Sequence, residues 1–207
     1  MKVLVACESS GAVRDAFRLR GHDAWSVDLL ADEAGSQWHM KGDALEAVRQ
    51  LCPDLLIAHP PCTYLCASGL HWNKRRPGRE QQTAEALDFV HALLDAPVER
   101  IAIENPVGRI GTAIRPADQY VQPHEFGHDA SKRTGLWLKN LPPLVPTSHV
   151  EPRVVDGRPR WANQTDSGQN RLPPSADRWR ERSRTYSGIA EAMAEQWGNL
   201  ATGENQC

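Results

Sequence analysis

The sequence predicts an α/β fold: a mostly parallel sheet with helices on both faces. Three observations predict it. Short apolar runs of strand length alternate with stretches whose apolar residues recur at helical spacing. Several of those runs end in polar or proline-marked loops carrying carboxylates, serines or a cysteine, and open parallel sheets bind ligands at such strand ends. The chain has 207 residues, 40% hydrophobic and 24% charged, enough for one domain with a full core.

The elements follow in order. Residues 2–6 read as a buried strand, and Cys7, Glu8, Ser9, Ser10 and Gly11 as the loop after it. A helix follows with Val13, Ala16 and Phe17 on one face, and Gly21-His22 ends it. Residues 24–27 form a second strand closing in Asp28; Gly42-Asp43 then opens a helix with Leu45, Val48 and Leu51 inward. Residues 54–58 are a third strand, running into His59-Pro60-Pro61-Cys62. A helix over 83–94 leads to a strand over 100–103, which ends in Glu104-Asn105-Pro106. Right-handed crossovers are expected between the parallel strands. Residues 134–138 form a further strand, 139–185 lack periodicity, and 186–197 return to helix with Ile189, Met193 and Trp197 at four-residue spacing. The tail from 198 is expected to fray. This divides the chain into a catalytic and cofactor-binding unit over 1–139, a short irregular basic insert over 140–185, and a closing helix and tail over 186–207.

Composition narrows the function classes. A net charge of −2 with clear apolar clusters argues against disorder of the whole chain. No apolar run approaches the ~18 residues of a membrane span, and the first residues do not read as a signal peptide, so a cytoplasmic protein without membrane partner is expected. The five cysteines (7, 52, 62, 66 and 207) are an odd number, and free thiols are expected. Between Lys139 and Arg184 there are nine Lys and Arg against five Asp and Glu, a local excess suited to phosphate contact. The ordinary reading of such a stretch is a solvated loop.

The strand ends carry the chemistry. The Ser9-Ser10-Gly11 loop can present backbone N–H groups at a helix start. Asp28 stands where an acid can accept both hydroxyls of a ribose, and Asp43 where one can reach an adenine amino group. Either carboxylate alone is more often a helix cap. Two prolines hold Cys62 rigidly at the mouth of the sheet, where a lowered thiol pKa would make it a nucleophile. Glu104, on a neighbouring strand end, can hold a proton beside that thiol. His59, Cys62, Cys66 and His71 are zinc-ligand types, but their spacing matches no zinc pair, and no metal is assigned. A thiol and an acid above a nucleoside pocket suit attack on an electrophilic heterocycle.

These motifs resemble, in order, those of the DNA cytosine-5 methyltransferase family, in a small form like those of bacteriophages and prophages. The likeness runs through Ala6 to Gly11, Asp28, Gly42-Asp43, Pro61-Cys62 with Ser68-Gly69, and Glu104-Asn105 with Pro106-Val107. It continues in Phe126-Gly127 with Lys132-Arg133-Thr134, and in the helix over 188–197. It departs in the first loop, which lacks Phe-x-Gly-x-Gly, and in the basic motif, which lacks its leading glutamine. The target-recognition segment is also short.

The resemblance implies a Rossmann-like S-adenosylmethionine-dependent methyltransferase fold and methylation of cytosine C5 in DNA, through addition of Cys62 to C6. It implies that Glu104, Lys132 and Arg133 act on the target base. Cys7, Glu8, Ser9, Ser10, Gly11, Asp28, Asp43 and Pro60 would hold S-adenosyl-L-methionine. Ser68, Arg171, Arg178, Arg180, Arg182 and Arg184 would contact duplex or single-stranded DNA, and no obligate protein partner is implied. The same chemistry on a free deoxycytidine nucleotide or RNA, and a non-catalytic nucleic-acid-binding role, are the alternatives.

Overall fold

The computed structural model describes residues 1–200. Five parallel strands form one side of a seven-stranded sheet: β1 (Lys2–Ala6), β2 (Asp23–Asp28), β3 (His39–Lys41), β4 (Leu55–Ala58) and β5 (Arg100–Pro106). Two more, β6 (Gln119–Val121) and β7 (Thr134–Lys139), complete it in the order β3-β2-β1-β4-β5-β7-β6. β7 runs antiparallel to both neighbours, and its pairing with β5 covers six residue pairs from Ile101–Lys139 to Pro106–Thr134. The result is the α/β architecture that the sequence predicts, a mostly parallel sheet with helices on both faces.

The period of a strand divides its side chains between two cores. Val3 and Val5 of β1 face one side with Leu55, Ile57, Ala102 and Leu136. That face is covered by α1 (Ala12–Leu19), through Val13, Ala16 and Phe17, and by α7 (Ser187–Gly198), through Ile189, Met193 and Trp197. Leu4 and Ala6 face the other side with Leu56, Ala58, Ile101 and Ile103. There α2 (Ala44–Leu51) and α4 (Arg79–Leu94) pack with Val48, Val90 and Leu93. The two buried indoles keep hydrogen bonds: Trp137 donates to the Arg115 carbonyl at 2.8 Å and Trp197 to the Pro142 carbonyl at 3.0 Å.

Shorter pieces complete the chain. They are α3 (Ala67–Leu70), α5 (Ile110–Ala113), a hairpin of β8 (Arg153–Val155) and β9 (Arg158–Arg160), and α6 (Arg178–Ser183). β3, β6 and the hairpin strands have three residues each, too few to show periodicity. α4 starts four residues before the expected helix because its first turn, Arg79-Glu80-Gln81-Gln82, is polar and exposes no apolar repeat. Cys7, Cys62 and Cys66 are free, but Cys52 is disulfide-bonded, which corrects the expectation of thiols throughout. An odd cysteine count excludes complete pairing, not pairing itself. Cys207 and the end of the expected frayed tail lie outside the described residues. Among the described residues, no helix is long and apolar enough to cross a membrane.

One buried cation locks the first half of the sheet. Arg14 on α1 is 1% exposed, and its guanidinium donates to Asp32 at 2.6 Å, to the Ser26 hydroxyl at 2.9 Å and to Asp15 at 2.8 Å. It ties α1 to β2 and to the loop after β2. Gly11, at φ 72°, precedes the helix in the left-handed region, and a Cβ there would run into the Arg14 guanidinium. Burial alone would raise the Asp32 carboxyl, but the amide of Ser36 and the Arg14 charge outweigh it and hold it below the usual carboxylate range.

Replacing Asp32 with Asn leaves the buried guanidinium with Asp15 as its remaining carboxylate and is expected to lower stability by about 1.5–3 kcal/mol, read from urea midpoints. Because the folded carboxyl lies below its unfolded value, the stabilisation is present above about pH 4 and is lost as pH falls through the folded value. The wild type should therefore lose more stability than Asp32→Asn on acidification.

Candidate active site

β1 and β4 lie side by side at the point where the strand order reverses, and a crevice opens beyond their carboxyl ends. The ends of β1, β2, β4 and β5 converge there around a cavity of about 250 Å³. Its walls include Cys7, Glu8, Ser9, Ser10, Asp28, Pro60, Cys62, Glu104 and Lys132. A second cavity of about 560 Å³ adjoins it, lined by Cys66, Ser68, Lys132, Arg133 and the lobe residues Asn163, Gln164 and Asn170. Cys62 belongs to both, so it stands where the two spaces meet.

The loops of β4 and β5 are clasped together. Pro60 and Pro61 carry the chain out of β4, and Cys62 opens a 3-10 turn over Cys62–Tyr64. The buried Asn105 donates to the Pro60 carbonyl at 2.7 Å. Arg109 donates its amide to the Leu65 carbonyl at 2.7 Å, and Ala67 its amide to Val107 at 3.1 Å. Gly108 sits so tightly against Leu65 and Cys66 that any Cβ would strike their backbone. The segment after Glu104 therefore fixes the turn that carries Cys62.

His59 joins this clasp, a residue that sequence reasoning considered only as a metal-ligand type. Its Nδ1 lies 3.4 Å from Glu104 Oε2, and its buried Nε2 has no hydrogen-bond partner among the described residues. Burial by itself would raise the Glu104 carboxyl, but the His59 hydrogen bond, Lys132 and Thr134 reverse that and hold it below its usual range. Glu104 is thus ionised near neutrality and accepts the proton of Nδ1.

The thiols behave differently from expectation. Cys62 is exposed at the mouth, yet the protein around its sulfur raises its pKa, and the charges of Cys66 and Glu104 add to the rise while Lys132 opposes it. This corrects the expected lowering, because burial of the sulfur is the largest cause and the Glu104 charge adds to it. Cys7 is pushed up to about 12 by burial and by Asp28 and Asp43. It takes a left-handed φ of 59° at the end of β1 and lines the first cavity as a neutral group.

The remaining candidates divide by place. Ser9 and Ser10 line the first cavity. Glu8 does too, but its carboxylate accepts from the amides of Val13 at 2.7 Å and Arg14 at 3.3 Å, so it caps α1 from within. Gly11 serves that same helix start. Asp28 lines the cavity with one oxygen accepting from the Leu30 amide at 2.9 Å. Asp43 caps α2 through the Glu46 amide at 2.9 Å and does not line the cavity. Ser68 lines the second cavity and lies 3.0 Å from the Cys66 sulfur.

Lys132 faces both cavities, and its ammonium donates to the Arg184 carbonyl at 3.4 Å. The Arg133 guanidinium stacks on Tyr120, 4.1 Å from the ring centre. Gln122, unassigned by sequence reasoning, accepts from the Lys132 amide at 3.0 Å and so orients this segment. Arg182 and Arg184 line both cavities. Arg171 donates to the Gln164 carbonyl at 2.7 Å, Arg180 faces Glu33 and Asp177, and Arg178 lines neither cavity. Arg184 also pairs with Glu33, which holds the lobe across the mouth.

The first cavity fits S-adenosylmethionine in its donor set. Asp28 offers a carboxylate for a ribose diol and Leu30 and Pro60 offer apolar surface, while Glu33 and Glu104 share the walls with Lys132, Arg182 and Arg184. The α1 amides are already taken by Glu8, so they do not supply an anion site.

Replacing His59 with Ala removes the donor to Glu104 and is expected to raise that carboxyl's pKa, which isotope-edited NMR titration of the Glu104 carboxyl would show. Alkylation by iodoacetamide at pH 8, followed by mass spectrometry, should modify Cys62 while sparing Cys7.

No protein-family model matches the sequence, and no curated protein matches it. Among solved structures, the chain is similar to the Entamoeba histolytica methyltransferase EhMeth at a TM-score of 0.49 and 15% identity, over 73% of this chain and 58% of that one. The chain thus spans less than two thirds of that protein.

Proposed function

We propose that this protein is an S-adenosylmethionine-dependent methyltransferase that adds a methyl group to C5 of cytosine in DNA. One observation carries the reading: an accessible thiol, Cys62, stands where two cavities meet, on a turn clasped to the strand that presents a half-buried, ionised carboxylate, Glu104. The first cavity joins a carboxylate for a ribose diol to apolar surface, and the second has the cations Lys132, Arg133, Arg182 and Arg184 on its walls, suited to phosphates.

Each group then has a task. C5 of cytosine is a weak nucleophile. Addition of the Cys62 thiolate to C6 pushes electron density to C5 and leaves negative charge on the N3 side of the ring. The proton that the Cys62 thiol gives up passes to Glu104, which then holds it against N3 while its other oxygen accepts from the exocyclic amine, steadying that charge. S-adenosylmethionine, when bound, supplies the methyl group. Loss of the C5 proton to a base then expels the thiolate and restores the aromatic ring. Lys132 faces both cavities and favours the thiolate over the thiol. A target within a duplex must leave the stack to reach Cys62.

The resting thiol beside an ionised Glu104 and the reactive thiolate beside a protonated Glu104 carry the same number of protons, so kcat/KM is expected to be flat across the neutral range and to fall only above the raised pKa of Cys62, where that proton is lost. Cys62→Ala should abolish transfer of labelled methyl groups while leaving thermal melting near wild type. DNA containing 5-fluorocytosine should form a denaturant-resistant adduct with the wild type and none with Cys62→Ala. Nucleoside analysis of the labelled product tests the substrate assignment, and label on anything other than 5-methylcytosine overturns it.

A further inference from the structure

We propose that His59 is a specificity-determining positioning residue: its Nδ1–H fixes which oxygen of Glu104 takes up the proton, and so admits cytosine and refuses uracil. The role rests on the cytosine-methylation reading and falls to a residue outside the motifs that carry the family resemblance.

The backbone fixes where the ring stands. His59 is the first residue past β4, and because Ala58 pairs with Ile103 it comes beside Glu104. Its amide donates to the Ala6 carbonyl at 3.0 Å, and the following Pro60 narrows its backbone angles. The His59 and Glu104 side chains are only 10% and 15% exposed, so little water competes for their contact.

The second ring nitrogen decides the tautomer. Nε2 is buried and has no hydrogen-bond partner among the described residues. Glu8, the buried acid at the end of β1, gives its oxygens to the amides of Val13 and Arg14 instead. A buried N–H without an acceptor is more costly than a bare lone pair, so the proton sits on Nδ1, 3.4 Å from Glu104 Oε2. The Thr134 hydroxyl stands by the same acid but donates at 3.0 Å to the Lys132 carbonyl, so it does not choose between the oxygens. Lys132 acts on the acid through its charge. Oε2 is thus committed to accepting, and Oε1 is left to take the proton of the Cys62 thiol.

That division matches one pyrimidine. Addition of the thiolate to C6 of cytosine leaves charge at N3, beside an amine that donates. It calls for a proton on the oxygen facing N3 and a bare oxygen facing the amine, the places that Oε1 and Oε2 fill. Uracil calls for the reverse: its N3 already carries a proton, and the charge arises on O4. A proton on Oε2 would weaken the charge-assisted bond from Nδ1–H, or drive the ring proton to Nε2, where it meets no acceptor.

The test uses the full chain, S-adenosylmethionine with a labelled methyl group, and single-stranded DNA of random sequence, before and after conversion of its cytosines to uracil. Nucleoside analysis reads labelled 5-methylcytosine against labelled thymidine. His59→Leu is expected to reduce the cytosine-over-uracil ratio of kcat/KM at least about tenfold, and His59→Asn, whose amide restores a donor to Oε2, to recover most of it. If His59→Leu melts early, His59→Ala takes its place. The wild type gives a second measurement: DNA containing 5-fluorouracil should form no denaturant-resistant adduct where 5-fluorocytosine does. Equal adduct formation with both bases overturns the role of His59, as does an unchanged ratio in the folded variant. Wild-type methylation of cytosine with that unchanged ratio sinks the role of His59 alone. Methyl transfer to neither base, with no adduct, sinks the cytosine reading and the role together.

Discussion

The site depends on the clasp between the loops that leave β4 and β5. The two strands pair in parallel from Leu55–Arg100 to Ala58–Ile103, so their ends arrive side by side. Beyond that point the sheet no longer sets the spacing. The Asn105 side chain on the Pro60 carbonyl, and the backbone bonds from Arg109 and Ala67, take over. Gly108, packed against Leu65 and Cys66, holds the backbone of the two loops together. A buried amide hydrogen bond of this kind is strongly directional, because an unmade partner on either side would lie desolvated.

Electrostatics at this point pull in opposite directions for the two reacting groups. Lys132 lowers both Glu104 and Cys62, while Glu104 raises Cys62. The resting state is an ionised acid beside a protonated thiol. In the proposed mechanism, activation exchanges that arrangement for a thiolate beside a protonated acid, and His59, whose second nitrogen has no hydrogen-bond partner among the described residues, stands next to that acid.

Much of the fold was legible because strand ends and chemistry coincide. The four apolar runs over 2–6, 24–27, 54–58 and 100–103 fall in β1, β2, β4 and β5; the Pro-Pro-Cys segment leaves β4, whereas Glu104-Asn105-Pro106, expected as a loop, continues β5 because it pairs with β7. Strands of three residues were not legible, since their identity comes from pairing partners and not from their own pattern. Arg14 was not legible either: a basic residue in the first turn of an amphipathic helix reads as solvent-facing until the Asp32 loop folds over it. His59 gave a residue type without a role, which only its distance to Glu104 supplies. The arginines over 171–184 show the reverse limit. Their charge is plain in the sequence, but Arg171 and Arg180 are engaged with the lobe's own carbonyl and carboxylate groups.

Glu33 joins parts of the molecule that are otherwise far apart in the chain. Its amide donates to the Ser9 carbonyl, and its carboxylate pairs with Arg180 and Arg184 of the lobe. The wall that α6 and Arg184 form is thereby latched to the loops that leave β1 and β2, so a single carboxylate couples two walls of the first cavity.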